Sequence, residues 1–446
     1  MAVLFGTDGV RGVANKDLTP ETALRLGRAG GAVLSKSKAG SRVIIGKDTR
    51  KSCDMLEAAL AAGLCSAGVD VLLAGVLPTP GVACLIKELG AAGGVVISAS
   101  HNSFEDNGIK FFGPGGYKLT DGLELEIEQL ALGNLDTIPA PTGGGVGRIA
   151  DLPDAVDRYV GFLKNTVQVD FSGLKVVLDC ANGAASGVAP GALAELGAEV
   201  IAINNRPDGV NINLNCGSTC LDMVQAAVRE HRADLGLAHD GDADRVLAVD
   251  AAGRIVDGDQ IMVICARYLK ELGRLAGNTI VVTVMSNLGL HLAMRESGIK
   301  VLETKVGDRY VLEEMLRSGA RFGGEQSGHI LFLDHATTGD GLLTALQLLA
   351  AVKEKNKPLG ELAAQMEKLP QLLVNVKVNN KQEVMASNEL AEAIAAAERC
   401  LAGSGRILVR PSGTEPLVRV MGEGRDAGEL RAVVDELVDL VRRLGV

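Results

Sequence analysis

Tryptophan is absent from the 446 residues, and only four tyrosines and eight phenylalanines are present. Beside 56 glycines, that composition excludes a coiled coil or a disordered chain and describes a loop-rich α/β protein. A basic field is also missing. The net charge of −10 argues against nucleic acid as a partner, so an anionic ligand would need locally concentrated arginines and lysines. The opening Met1-Ala2-Val3-Leu4-Phe5-Gly6-Thr7-Asp8 has no basic stretch followed by a long apolar one, so no secretory signal is expected. The longest apolar run, Val71 to Ile86, is broken by Pro78 and Pro80 and falls short of a membrane span. The eight cysteines include no Cys-x-x-Cys, and Cys216 and Cys220 lack the second pair or histidine motif of a metal site. Reduced thiols and a cytoplasmic location are expected. Nucleotide loops are lacking too: no Gly-x-Gly-x-x-Gly opens a helix and no Gly-Lys-Ser/Thr occurs.

Two short segments carry the chemistry that is present. Ser98-Ala99-Ser100-His101-Asn102 offers hydroxyl nucleophiles among small residues, next to a His-Asn pair. Asp240-Gly241-Asp242-Ala243-Asp244-Arg245 packs three carboxylates into five residues, with an arginine directly after. The acidic run follows the apolar Ala233-Asp234-Leu235-Gly236-Leu237-Ala238, so it falls where a strand ends, the place where α/β sheets bind ligands. Carboxylates about 4 Å apart repel by roughly 4 kcal/mol per pair at an effective dielectric near 20, so a cation is their natural counterweight. A solvated acidic turn is the plainer reading, and the strand end weighs against it. An EF-hand is excluded, because its required glycine would be Arg245 and its bidentate glutamate Ala251. Hard oxygens without sulfur or imidazole favour magnesium over zinc. A hydroxyl that can carry a phosphoryl group beside an oxygen cage for a divalent cation makes the two main parts of a phosphoryl-transfer site.

A strand–helix–strand pattern recurs three times. Arg42 to Gly46, Lys175 to Asp179 and Thr279 to Thr283 read as buried strands leading into helices at Met55–Ala67, Val188–Leu196 and Leu288–Ser297. Each helix stops at a glycine before another strand: Gly68, Gly197 and Gly298. Such units imply parallel sheets with right-handed crossovers. Pro139 to Gly145 reads as a linker, and Val246–Asp250 with Ile255-Val256 as a hairpin. The last segment alternates from Leu373 to Val378 and then carries helical stretches at Ser387–Leu401 and Asp426–Leu444. The expected organisation is three related α/β domains, 1–150, 151–255 and 256–369, with mixed, mainly parallel sheets, plus a smaller α+β domain, 370–446, around a central cleft.

Five motifs in order resemble those of the α-D-phosphohexomutase superfamily, and the likeness spans essentially the whole chain. They are Phe5 to Gly12, Ser98 to Asn102, Asp240 to Arg245, Gly323-Gly324-Glu325-Gln326-Ser327-Gly328-His329, and Arg410-Pro411-Ser412-Gly413-Thr414-Glu415-Pro416. The resemblance implies a phosphoserine at Ser100 rather than Ser98, and magnesium held by Asp240, Asp242, Asp244 and an oxygen on phospho-Ser100. It implies a mutase reaction through a 1,6-bisphosphate, with glucosamine or glucose 1,6-bisphosphate as activator. The amino-sugar branch is favoured, interconverting glucosamine 6- and 1-phosphates and feeding UDP-N-acetylglucosamine and cell-wall precursors. Asp308, where some mannose enzymes have histidine, and Gln326 support that branch; a glucose or mannose mutase is the alternative. Arg11 matches an arginine facing the phosphoserine. Lys110 matches a lysine proposed for proton handling, and a fixed phosphate-binding charge is the equal reading for it. His101 either orients the phosphoserine or braces its loop. Arg245 is expected on the metal-site charges or on substrate phosphate. Glu325 and Ser327 are expected on the sugar's 3- and 4-hydroxyls, with His329 near the site or satisfied in the core. Arg410, Ser412, Gly413, Thr414 and Arg419 form the expected cradle for the non-reacting phosphate. Closure of the last domain would then exclude water. The partner is a small phosphosugar, with neither nucleic acid nor membrane, and a homodimer is the assembly the resemblance allows.

Rival classes are discriminated by residues. A haloacid-type phosphatase needs a hydroxyl residue where Asp244 stands, and a non-catalytic sensor would discard the intact Ser100. A metal-dependent phosphatase would release phosphate to water without isomerising its substrate.

Overall fold

The computed structural model describes residues 4–6, 8–36, 41–401, 405–412 and 416–445. They fall into two compact units: one reaches to Met285 and resumes over Lys300–Gln365, the other combines Ser286–Ile299 with the chain from Met366 onward.

The first unit contains three sheets built on one plan. In the seven-stranded sheet, Gly93–Ile97, Arg42–Lys47, Asp70–Val76 and Ile149–Asp151 run parallel, while Asp106–Phe112, Gly9–Val13 and Phe5–Gly6 extend it antiparallel. The five-stranded sheet pairs Leu235–His239 parallel to Lys175–Asp179 and antiparallel to Val246–Asp250. The four-stranded sheet pairs Phe322–Gly324 parallel to Thr279–Thr283 and antiparallel to Ile330–Phe332. In each case one parallel strand turns back on itself, and that reversal carries a candidate loop: Ser98 to Asn102, Asp240 to Arg245, and Glu325 to His329. The sheets are therefore mixed, with parallel and antiparallel pairings nearly balanced. The parallel strands are apolar because both faces are covered: every residue of Gly93–Ile97 and of Leu235–His239 is buried.

The helices follow the expected crossovers, shifted by a residue or two: Cys53–Ser66, Ala189–Glu195 and Leu288–Glu296. The third groups with the second unit and not with the strands it connects. The residue before it explains this. Asn287 is fully buried, donates to Leu369 O at 3.0 Å and accepts from Leu369 N at 3.0 Å.

The second unit pairs Leu417–Gly424 antiparallel to both Gln371–Lys377 and Gly405–Pro411. Asn388–Cys400 and Ala427–Leu444 pack on this sheet through Leu390, Ala397, Val434, Leu437 and Val441, against Val418 and Val420. Each fully buried aliphatic side chain contributes roughly 1.5–3 kcal/mol, so this small core supports its own sheet.

Candidate active site

The loop that carries Ser98 to Asn102 follows the fully buried strand Gly93–Ile97. Ser100 takes φ of +54°, a left-handed conformation that residues with a side chain adopt at a cost. Its N–H donates to Ser98 Oγ at 2.9 Å, so Ser98 braces the loop from a fully buried position. The Ser100 hydroxyl points the other way and donates to Asp240 Oδ2 at 2.6 Å, with His101 Nδ1 at 3.4 Å. The two segments singled out in the sequence thus meet at one pair of oxygens.

Asp240, Asp242 and Asp244 are all buried, and ligand oxygens from the three lie within 4.8 Å of one another. Burial, then the neighbouring charges of Asp244 and Asp242, push Asp240 up to about 8. Burial also disfavours the charged form of Asp244, but His329, Lys110 and Arg245 outweigh it and hold that carboxyl below the usual range. Asp242 Oδ1 and Asp244 Oδ1 are buried and accept no hydrogen bond. Orphaned hard oxygens facing one another suit a divalent cation, so the triplet can hold a metal ion.

The second oxygen of Asp242 is occupied by protein donors, Thr79 Oγ1 at 2.6 Å and Lys110 Nζ at 2.9 Å. Lys110 also lies 3.1 Å from Asp8 Oδ2. Burial alone would favour its neutral form, but Asp242 and Asp8 reverse that, and Lys110 is held as a cation. Lys118 bridges Asp8 and Asp308, at 2.5 Å from each. His329 is buried with Nδ1 at 3.5 Å from Asp244 and accepts from Gly339 N at Nε2, 3.2 Å away, which ties the third loop to the acidic triplet. Arg245 donates from its main chain to Asp240 Oδ1 at 3.2 Å and places Nη1 3.4 Å from His101. Burial and then the charges of Arg245 and Arg11 depress the His101 pKa, so its ring is neutral at pH 7. Arg11 is exposed and paired with Asp8.

Asp8, Lys110, Lys118, Asp308 and His329 line a cavity of about 290 Å³ together with Tyr117. Glu325 is half-buried and accepts from Gly307 N at 2.9 Å, while Ser327 is exposed. A larger space of about 610 Å³, beside Pro80 and Phe162, has no activated nucleophile: burial pushes its Cys84 thiol up to about 12. The smaller cavity is the one that reaches the acidic triplet, through Lys110 and His329.

In the second unit, Arg410 and Arg419 stand directly opposite each other on paired strands. Burial and then the Arg419 charge lower the Arg410 pKa. Like charges placed face to face destabilise a sheet and attract an anion. Ser412 is buried, with its N–H on Leu417 O at 2.9 Å. Gly413 and Thr414 lie outside the described residues.

Sequence reading missed Asp8, Arg50, Thr79, Lys118 and Asn213. Asp8 stands inside the first motif, and Arg50 stands in Asp48-Thr49-Arg50 at the end of an apolar strand; Arg50 makes an ion pair with Asp48 in which neither side chain is exposed. The eight cysteines form no disulfide, and no described helix is long and apolar enough to cross a membrane.

A nucleophilic hydroxyl against a metal-ready triplet, ringed by fixed cations, is the arrangement of a phosphoryl-transfer enzyme. Four domain families match along the chain: Phosphoglucomutase/phosphomannomutase, alpha/beta/alpha domain I over residues 2–136, domain II over 157–253, domain III over 257–369 and the C-terminal domain over 373–440. The chain belongs to this family, the α-D-phosphohexomutase superfamily, and is an isomerase that works by phosphoryl transfer. A curated relative named phosphoglucosamine mutase, from Pelotomaculum thermopropionicum, is 66% identical over 444 residues, covering 100% of both chains. A solved phosphoglucomutase/phosphomannomutase family protein from Burkholderia thailandensis superposes with a TM-score of 0.83 at 26% identity, over 99% of this chain and 97% of that one. Aspergillus fumigatus N-acetylphosphoglucosamine mutase, solved in complex with GlcNAc-6P and magnesium, shares the fold at a TM-score of 0.72 and 18% identity, over 100% of this chain and 96% of that one.

Proposed function

We propose that the chain is a phosphoglucosamine mutase, interconverting glucosamine 6-phosphate and glucosamine 1-phosphate. The observation that carries the phosphoryl-transfer reading is the 2.6 Å contact between Ser100 Oγ and the buried Asp240. The amino-sugar assignment rests on the name of the highly similar full-length relative, with Asp308 and Gln326 in support.

In the resting enzyme Ser100 Oγ carries a phosphoryl group. Transfer breaks the bond between phosphorus and Oγ and forms one to the free hydroxyl oxygen on C1 or C6 of the sugar, and the proton that hydroxyl gives up ends on Ser100 Oγ. The resulting 1,6-bisphosphate turns over and returns its other phosphoryl group to Oγ. A 1,6-bisphosphate supplied from outside primes the serine in the same way. Asp240, Asp242 and Asp244 would hold a magnesium ion, which would supply charge neutralisation at the transferring group. Lys110 and Arg245 add fixed positive charge on either side, and such transfer is mostly positioning and electrostatics. Arg11 faces the transferred group from the rim. Neutral His101 orients Oγ through Nδ1. Glu325, Ser327 and His329 hold the sugar, and Arg410, Ser412, Gly413, Thr414 and Arg419 grip the phosphate that is not reacting.

The test compares turnover of glucosamine, glucose and mannose 6-phosphates with magnesium and catalytic bisphosphate, measuring free phosphate in parallel. The glucosamine substrate should be preferred by at least about tenfold, equivalent to about 1.4 kcal/mol of differential transition-state binding. Equal or faster turnover of glucose or mannose phosphate would overturn the sugar assignment, and phosphate release without isomerisation would replace a mutase by a phosphatase.

A further inference from the structure

We infer that Arg50 and Asn213 are positioning residues that clamp the main chain of the phosphoserine loop and set the direction of the Ser100 side chain. The inference deepens the reading of Ser100 as the phosphoryl carrier and rests on it.

The loop 98–105 joins two strands and forms part of neither. Its carbonyls therefore need donors from elsewhere if they are to be buried. Among the described residues no main-chain N–H reaches the carbonyl oxygen of Ser100 or of Asn102. Arg50 Nη2 donates to both, at 3.1 and 2.6 Å, and its Nε reaches Ser103 O at 3.5 Å. Asn213 Nδ2 donates to the same two oxygens, each at 2.9 Å. Four hydrogen bonds from two side chains thus converge on two carbonyls that flank His101.

The two donors come from different sheets. Arg50 follows the strand Arg42–Lys47, and Asn213 lies in the long connection after Glu199–Ile203. Both are held in turn. Arg50 ion-pairs with Asp48, whose Oδ1 accepts from Arg50 N at 2.9 Å and from Cys53 Sγ at 3.3 Å. Asn213 takes φ of +58°, a conformation asparagine tolerates well, and its N–H is anchored on Ala181 O at 2.9 Å. Gly241, inside the acidic run, completes the fit: a Cβ there would lie 2.5 Å from Ser100 O and 2.9 Å from Asn213 Nδ2.

A wholly buried guanidinium is a costly way merely to brace a loop, since apolar residues of similar volume do that as well or better. Its place is explained by what it grips. Ser100 holds a left-handed φ that nothing in its own side chain favours, and the carbonyl on its C-terminal side is where Arg50 and Asn213 meet. Fixing that carbonyl fixes the peptide plane, and with it the line along which Oγ presents its phosphoryl group. Misplacing a reacting atom by about 1 Å costs on the order of 100-fold in rate.

The test uses the full chain and three variants: Arg50→Lys, Asn213→Gly and Asn213→Asp. Glycine keeps the left-handed backbone and deletes the donor, while aspartate keeps the shape and turns acceptor oxygens towards two carbonyls. Isomerisation kcat and KM, magnesium affinity, thermal melting and phosphate occupancy of Ser100 by intact mass are measured for each. Asn213→Gly should lower kcat by about tenfold or more with KM within about threefold and magnesium affinity kept, the signature of a group that acts through positioning. Asn213→Asp should be slower still. Folded Asn213→Gly and Asn213→Asp enzymes with wild-type kcat, or with the loss entirely in KM, would overturn the clamp. If Arg50→Lys does not fold, the Asn213 pair decides. Wild-type enzyme carrying no phosphate on Ser100 would sink the carrier reading itself, a result separable from normal turnover in the variants.

Discussion

At the residue scale, the chemistry depends on which oxygen of each carboxylate is left over. Asp242 gives one oxygen to Thr79 and Lys110 and leaves Oδ1 buried without a hydrogen bond. Donors of this kind orient ligands and are typically worth about 10–100-fold in metal affinity. Replacing Thr79 by valine keeps the shape and the main-chain bond from residue 79 to Asp242 O, 3.0 Å long, and removes only the hydroxyl. Magnesium affinity, measured by calorimetry, should fall by about tenfold or more. An unchanged affinity would show that Lys110 orients Asp242 alone. Ser100 and the aspartates were legible in the sequence because their chemistry is dense along the chain. Thr79 and Asn213 were not, and Arg50 was marked only by its place after an apolar strand, because each acts on a group far away in sequence, Arg50 and Asn213 on bare carbonyls that have no spacing signature.

At the element scale, the strand that reverses into an antiparallel neighbour is the recurring device, and the helix Gly341–Lys355 braces it. Gly341 N donates to Ala243 O at 3.0 Å, fixing the helix start to the middle of the acidic loop. The preceding Asp340 caps the helix through Leu343 N at 2.9 Å and accepts from Tyr159 Oη at 2.9 Å, with its other oxygen buried and without a hydrogen bond. Burial pushes Asp340 up to about 6. An acid whose pKa is raised by folding binds its proton more tightly in the native state, so its contribution to stability falls as pH rises from about 4 to about 6. Asn at this position retains the accepting oxygen and does not ionise. The stability of Asp340→Asn relative to wild type, measured by urea unfolding, should therefore improve across that window by up to about 3 kcal/mol. A constant difference between pH 4 and 6 would contradict the buried titration. The paired strands and crossover helices were legible from apolar runs and terminal glycines. The antiparallel reversals were not, since period alone does not distinguish strand direction.

At the scale of the whole molecule, the fold class was readable because each sheet repeats one pattern, and the family because its motifs keep their order. The grouping of Leu288–Glu296 with the C-terminal unit was not readable, since it depends on Asn287 and the buried Glu423, which accepts from Leu288 N at 3.0 Å across a long stretch of chain. The placing of two arginines opposite each other was hidden for a similar reason: Arg410 and Arg419 become neighbours only once the hairpin forms. The central claim is that one phosphoryl group resides on Ser100 and is passed between sugar oxygens. Its most direct test is intact-mass analysis of the enzyme and of Ser100→Ala after incubation with a sugar 1,6-bisphosphate and magnesium, alongside the isomerisation rate. One added phosphate on the wild type, none on the variant, and loss of nearly all turnover in the variant are expected. Phosphate retained by Ser100→Ala, or isomerisation by a protein that never carries it, would contradict the account.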